Sequence, residues 1–431
     1  MKILNSKNIS PFGGINFVID ELDRNNIGKN LNGFLPKLGP QSQYDWRDIL
    51  YSYWSVFFCG GDCAEDLSGN FKPSLSQSPV LKVPSPDRVL NRLKEIAVPA
   101  QHYSTSRGNF LHHFAINETL TDLNLTILNR LFGLSKNKVD LDYDNTICYT
   151  KKLDAERTYQ KELGYVPGVG LVGSKVVYIE NRNGRSNAGI LQEDTLERMF
   201  IKLTNNGVKV NRFRADSASY TFKVIRVVES NTDKFYIKAR MSTGLASAIA
   251  SVKHWKQIGK KQDNVYRGET RYTPFERAAR DNKLKEPLKS YRFIITKEVR
   301  RDGQVNLFTE EAYNYSVIVT NDNEAQIDDV VYYYNQRGAI EKEFDVLKND
   351  FGWKKLPFSK LEHNLVYLQI MAICRNLYHY IIQVFSKKFK GLQPTFRIKK
   401  FIFRFIAIPS KWINHSRQWY LKIYGDIPLR I

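Results

Sequence analysis

Apolar and polar positions along this chain change period several times, and each change marks an element. Residues 1–35 carry Pro11-Phe-Gly-Gly14, a short strand-like run from Ile15 to Ile19, and then a polar helix. Asp45 to Phe58 has helical spacing, is dense in Trp and Tyr, and stops at the breaker Gly60-Gly61. Ser85-Pro86 is a helix start, with Ser as N-cap and Pro at the first helical position. Val89, Leu90, Leu93 and Ile96 then form the apolar side. A further helical segment is expected from Asn109 to Leu131.

The period then drops to two. Val139, Leu141, Tyr143, Ile147 and Tyr149 fall on one side of a strand, and Asp140, Asp142 and Asp144 on the other. Three acids on one face of a buried strand are costly unless cations meet them. Strands are expected at Val169–Gly173, Lys175–Glu180 and Val208–Phe213, the last running into Arg214-Ala215-Asp216-Ser217. A helix over 191–205, another near Tyr220–Val228 and a strand at Phe235–Met241 complete an α/β pattern. Residues 251–325 turn strand-rich and basic, with Tyr291–Val299 and Gln304–Phe308 flanking a hairpin turn at Asp302-Gly303 and a last strand at Tyr315–Thr320. Gln326–Lys348 and 357–385 read as helices.

Composition narrows the function. The chain has 431 residues and a net charge of +21, which points to a polyanionic partner, nucleic acid above all. The last 46 residues hold eleven Lys or Arg and one acid, Asp426, among Phe, Trp and Tyr. That mixture suits a DNA backbone, or a solvated tail that packs its own aromatics. Four cysteines are too few for a disulfide scaffold. Cys59 and Cys63 lack a second Cys/His pair for zinc, and Asp62, Glu65 and Asp66 read as helix-capping acids. The start carries no apolar run, and the stretch Leu365–Cys374 is too short to span a bilayer. A cytoplasmic, nucleoid-associated protein without a membrane or small-molecule partner is therefore expected.

The candidate chemistry centres on Tyr334-x2-Arg337-x3-Glu341-x6-Lys348. On a continuous helix these four lie within roughly 60° of one another. Tyr333, Ile340, Phe344 and Leu347 line the adjacent apolar face. As an isolated pair, Arg337 and Glu341 would be ordinary surface charges worth a few tenths of a kcal/mol. Three acids end separate segments, however: Asp144, Asp216 and Glu341. Carboxylates so placed at α/β strand ends suit two divalent ions and phosphodiester chemistry.

This spacing resembles that of the DDE transposases of bacterial insertion sequences whose glutamate lies in a Tyr-Arg-Glu-Lys motif. Asp142-Tyr-Asp144-Asn-Thr146 is similar to their first acid segment, and Arg214-Ala-Asp216-Ser217 to their second. Asn181-Arg-Asn-Gly184, Thr320-Asn321, Phe351-Gly-Trp353, Asn364 and Arg375-Asn376-Leu377 also fit, so the likeness covers roughly 135–385. The resemblance implies a ribonuclease-H-like catalytic core (135–250 and 326–385) interrupted by a β-rich insertion (251–325). A mainly helical DNA-binding or dimerisation region (1–134) would precede it, and a basic aromatic tail (386–431) would follow.

The resemblance also implies that Asp144, Asp216 and Glu341 are catalytic and bind two Mg²⁺, with Mn²⁺ an acceptable replacement. Tyr334, Arg337 and Lys348 would contact DNA phosphates, and Trp255 would stack on an unpaired end base. The partners implied are double-stranded DNA, as transposon ends and target, and a second copy of the chain on that DNA. Asp142 lies on the same face as Asp144 and stays open as the first ligand; the spacing to Thr146 favours Asp144. Asp142-x-Asp144-x-Thr146 also matches the nucleophile motif of haloacid-dehalogenase-type phosphatases, but Lys138 and Asp140 interrupt the apolar strand that motif needs. A transposase-derived DNA-binding protein without catalysis is the other alternative.

Overall fold

The computed structural model describes residues 7–105, 110–259, 264–281, 287–300, 304–308 and 312–425. One mixed sheet of eleven strands organises them. In chain order its strands are β1 Gln101–Ser104, β2 Leu111–Ala115, β3 Val139–Asn145, β4 Gly168–Val172, β5 Lys175–Arg182, β6 Val210–Ala215 and β7 Thr232–Lys238. The remainder are β8 Lys256–Ile258, β9 Val265–Tyr272, β10 Tyr291–Val299 and β11 Tyr313–Thr320. Across the sheet the order is β1-β2-β5-β4-β3-β6-β7-β11-β10-β9-β8. Strands β3, β6 and β7 run parallel, while β4 is antiparallel to both β3 and β5.

Helices cover both faces. Those used below are α1 Ile15–Arg24, α2 Trp46–Phe58, α3 Pro86–Glu95, α4 Glu118–Phe132, α5 Gln192–Asn205, α6 Phe222–Asn231, α7 Ile327–Asn335, α8 Ala339–Asp350 and α9 Leu361–Lys388. Period two along the strands divides the sheet between two large cores, with a smaller third where Tyr236, Ile294 and Ile318 meet α7. Leu141, Tyr143, Val177, Phe213 and Phe235 join α5 and α6 in one. Val169, Leu171, Val176 and Ile179 join α9 and the N-terminal helices in the other. No helix among the described residues is long and apolar enough to cross a membrane.

Helix α9 is fixed to the sheet by side chains as well as by apolar burial. Asn376 accepts from the Val176 amide at 3.0 Å and donates to the Val176 carbonyl at 2.9 Å and to Asn124 at 3.0 Å. Asn364 makes the same double contact with Phe358, at 3.1 and 2.8 Å. Gly352 is left-handed at φ +74, and an added Cβ would meet the Tyr367 hydroxyl at 2.1 Å. Replacing Asn376 by Leu leaves the buried Val176 amide without its acceptor, while the Val176 carbonyl keeps Asn124 at 2.8 Å; we expect a loss of about 1–3 kcal/mol in denaturant unfolding.

Four local expectations change. Ile15–Ile19 is helical, because Ile15, Val18, Ile19 and Leu22 are all buried on one side of α1. The segment 109–131 divides into β2 and α4, separated at Asn117, whose side chain caps α4 by accepting from the Leu120 amide. Gln304–Phe308 is not a strand: β10 takes β11 as its partner, pairing Val299 with Tyr313, so 304–308 lies in the connection. The expected turn at Asp302-Gly303 lies outside the described residues. The expected helix 326–348 is broken, with α7 and α8 separated by a 3-10 turn at Gln336–Gly338.

Candidate active site

The acids are arranged by strand register. β3 and β6 run parallel, with Asp140 beside Arg212, Asp142 beside Arg214 and Tyr143 beside Ala215. Side chains alternate, so one face presents successive rows. The first two rows are acid against arginine: Asp140 takes Arg212 Nε at 2.9 Å, and Asp142 takes Arg214 through both oxygens, at 2.6 and 2.8 Å. Both guanidinium groups lie against the Tyr333 ring of α7, 4.0 and 4.3 Å from its centre. Arg214 also donates to the Tyr333 carbonyl at 2.6 Å. Cations thus meet the costly acid face, as the desolvation argument demands.

The rule breaks after them. One residue beyond the Tyr143–Ala215 pair come two acids, Asp144 still in β3 and Asp216 just past the end of β6. No arginine on the strands neutralises them. Instead the turn between α7 and α8 supplies Arg337, whose Nη2 lies 2.5 Å from Asp144. Burial pushes the Asp144 carboxyl up to about 6; Arg337 opposes this, while the charges of Asp216 and Glu341 add to it. Glu341 is exposed in the first turn of α8, and that helix is seated by Ile340, Phe344 and Leu347. The electrostatics thus join all three acids at Asp144.

The break at 336–338 redistributes the expected stripe. Tyr334 is buried in α7, and its hydroxyl donates to the Ala215 carbonyl at 3.3 Å, bracing the strand end that carries Asp216. Lys348 is half-buried near Cys148, and burial lowers its pKa below the usual lysine value. Among the described residues it makes no ion pair. Trp255 precedes β8, five strands along the sheet from β6. It packs on Gly268, where an added Cβ would meet its ring at 3.1 Å, and Lys297 lies 4.0 Å from its centre. Among the described residues, no hydrogen bond, ring contact or ion pair joins Trp255 to the acids.

The donor set fits a hard divalent cation. It consists of carboxylate oxygens with too little positive charge among them. It is not a closed cage. The group of three donors packed within 4.8 Å among the described residues is Asp62, Cys63 and Asp66. There Asp66 accepts from the amides of Asp62 and Cys63, at 2.9 and 3.4 Å, so it closes the turn before the helix at Leu67–Phe71 and does not cap that helix as expected. Asp142, with both oxygens on Arg214, has no comparable freedom.

A pH test follows from Asp144. Its folded value lies above its ordinary 3.8, so the folded state binds the proton more tightly than the unfolded chain does. Stability contributed here falls as pH rises from about 4 through about 6. In divalent-free buffer we expect Asp144→Asn to melt above the wild type at about pH 7. The gap should close near pH 4 in thermal melts.

Sequence reasoning missed the roles of Arg212, Arg214 and Tyr333. Their signal was available as alternation: Arg212, Arg214 and Asp216 repeat every second residue, as Asp140, Asp142 and Asp144 do.

Residues 41–430 match the family described as Transposase DDE domain group 1. The chain belongs to that family of transposases. No curated protein matches it. Among solved structures, a piggyBac transposase synaptic complex with hairpin DNA is similar at 14% identity. The match covers 92% of this chain and 79% of that one, with a TM-score of 0.44.

Proposed function

We propose that this transposase binds the inverted-repeat ends of its own insertion sequence, cuts them, and joins the freed 3′ ends to target DNA. The observation that carries this reading is the end of the β3–β6 pairing, where Asp144 and Asp216 follow the last row and the charges of Asp216 and Glu341 both act on the Asp144 carboxyl. The order β5-β4-β3-β6-β7, with β4 antiparallel, supports a ribonuclease-H-like core. The Tyr334–Lys348 spacing supports the Tyr-Arg-Glu-Lys subgroup of bacterial elements.

In the proposed reaction, water attacks the phosphorus at the transposon end and the bond to the 3′ oxygen breaks. The freed 3′-hydroxyl then attacks a target phosphodiester, forming one P–O bond as another breaks. Asp144, Asp216 and Glu341 present the oxygens that hold two divalent ions, Mg²⁺ or Mn²⁺. Bound there, such ions would lower the pKa of the attacking oxygen and neutralise the leaving one. Arg337 and Lys348 would face phosphates; for Arg337 this requires its pair with Asp144 to open. Tyr334 would hold the Asp216 strand end in place beside them, and Trp255 would stack on an unpaired end base once Lys297 moves off its ring. Synapsis of two ends calls for a dimer on DNA.

The test is cleavage of DNA flanking the gene in the presence of Mg²⁺. Specific cuts at the borders of flanking inverted repeats are expected. Binding without cutting would favour the DNA-binding alternative. Phosphatase activity on small esters without cutting would return attention to Asp142.

A further inference from the structure

The chain's last described element is a two-stranded ribbon, β12 Ser410–His415 and β13 Gln418–Ile423. It has two unlike faces. On the inner face Ser410, Trp412 and Asn414 pair with Ile423, Leu421 and Trp419. That face is anchored to the N-terminal region: Ser10 and Ser410 exchange backbone hydrogen bonds at 2.8 Å, and the Trp412 indole donates to Asn16 at 3.3 Å. On the outer face Lys411 stands opposite Lys422, Ile413 opposite Tyr420 and His415 opposite Gln418.

Like charges directly opposite on one face destabilise a hairpin. Lys411, Lys422 and Arg417 have no acid partner among the described residues. The turn adds a second cost. Ser416 and Arg417 both have positive φ, 53° and 61°, in a position where Asn-Gly is the unstrained choice. Such strain persists where a side chain must be presented at a tip. Among the described residues these cations thus have no counter-charge, and Lys422 has only the Tyr424 ring, 5.4 Å from its centre.

Resting on the transposase reading, the geometry points to the outer face of this ribbon as a duplex-DNA-binding surface. Lys411, Lys422 and Arg417 contact phosphates while Ile413 and Tyr420 reach between them. A two-stranded ribbon fits the roughly 12 Å major groove, and a polyanion removes the repulsion between the paired lysines. A second copy of the chain is the poorer occupant, because a two-fold contact would set lysine against lysine.

The test uses full-length protein in EDTA and fluorescence anisotropy with a short labelled duplex over a salt series. Lys411→Ala/Lys422→Ala should weaken binding about tenfold or more at low salt. It should also reduce the slope of log affinity against log salt by about two, and Arg417→Ala by about one more. The thermal melt should be unchanged or slightly higher, since a like-charge pair is removed. Variants with the affinity and slope of the wild type overturn the ribbon proposal and leave the transposase reading standing. The same result with an altered mass in solution overturns it in favour of a protein interface. A wild type that does not bind DNA at all overturns both.

Discussion

Asp216→Asn and Glu341→Gln should each reduce DNA cutting by well over 100-fold while leaving DNA binding near the wild-type level; even outer partners of a metal ligand are worth about 10–100-fold. Each change keeps the shape of the side chain and removes its charge. Asp216 is half-buried at a strand end and caps its own 3-10 turn through the Ala218 amide at 2.9 Å, a bond that Asn retains. Glu341 is exposed, so Gln should not disturb folding. Gel-shift and nicking assays on the same preparations separate binding from chemistry. Cutting retained by either variant removes that residue from the site.

Arg214→Ala should be the most destabilising of the charge substitutions discussed. Arg214 and Asp142 are 9% and 8% exposed, and removing one partner of such a pair costs about 3–5 kcal/mol. Two further contacts go with it, the bond to the Tyr333 carbonyl and the stacking on its ring. Asp142→Leu with Arg214→Met should recover most of the loss, because it leaves no buried charge unpaired. Arg212→Ala should cost much less, since Arg212 and Asp140 are 37% and 32% exposed. Denaturant unfolding of the three variants checks the order; equal losses for Arg212 and Arg214 would contradict the burial argument.

Much of this arrangement was legible before any coordinates. The period-two run Val139–Tyr143 and the apolar stretches ending in Asp216 specify strands because each alternate residue meets a core. The apolar side of α8 was equally plain, and Ile340, Phe344 and Leu347 are buried as their spacing demands. Register was not legible. Neither strand alone states that Asp142 meets Arg214 and that Asp144 and Asp216 both follow the last paired row; that comes from how β3 and β6 align.

The break at Gln336–Gly338 was also hidden. Gly338 weakens a helix without forbidding it, and the turn forms where Arg337 reaches Asp144 and Tyr334 reaches the Ala215 carbonyl. Asn364, Asn376 and Gly352 fitted a family pattern, yet here they fasten α9 and its approach. Trp255 depended on Lys297 and Gly268, distant in sequence, which no local pattern could supply.

The central claim is that Asp144, Asp216 and Glu341 bind the reaction's divalent ions together. Iron-directed backbone cleavage tests it most directly. Fe²⁺ replaces Mg²⁺, ascorbate and peroxide generate hydroxyl radicals at the bound ion, and the fragments are mapped by mass spectrometry. The account predicts cuts clustered near residues 144, 216 and 341 that are suppressed by excess Mg²⁺ and lost in Asp216→Asn. Cuts confined to the neighbourhood of Asp62, Cys63 and Asp66, with none near the two strand ends, would contradict it.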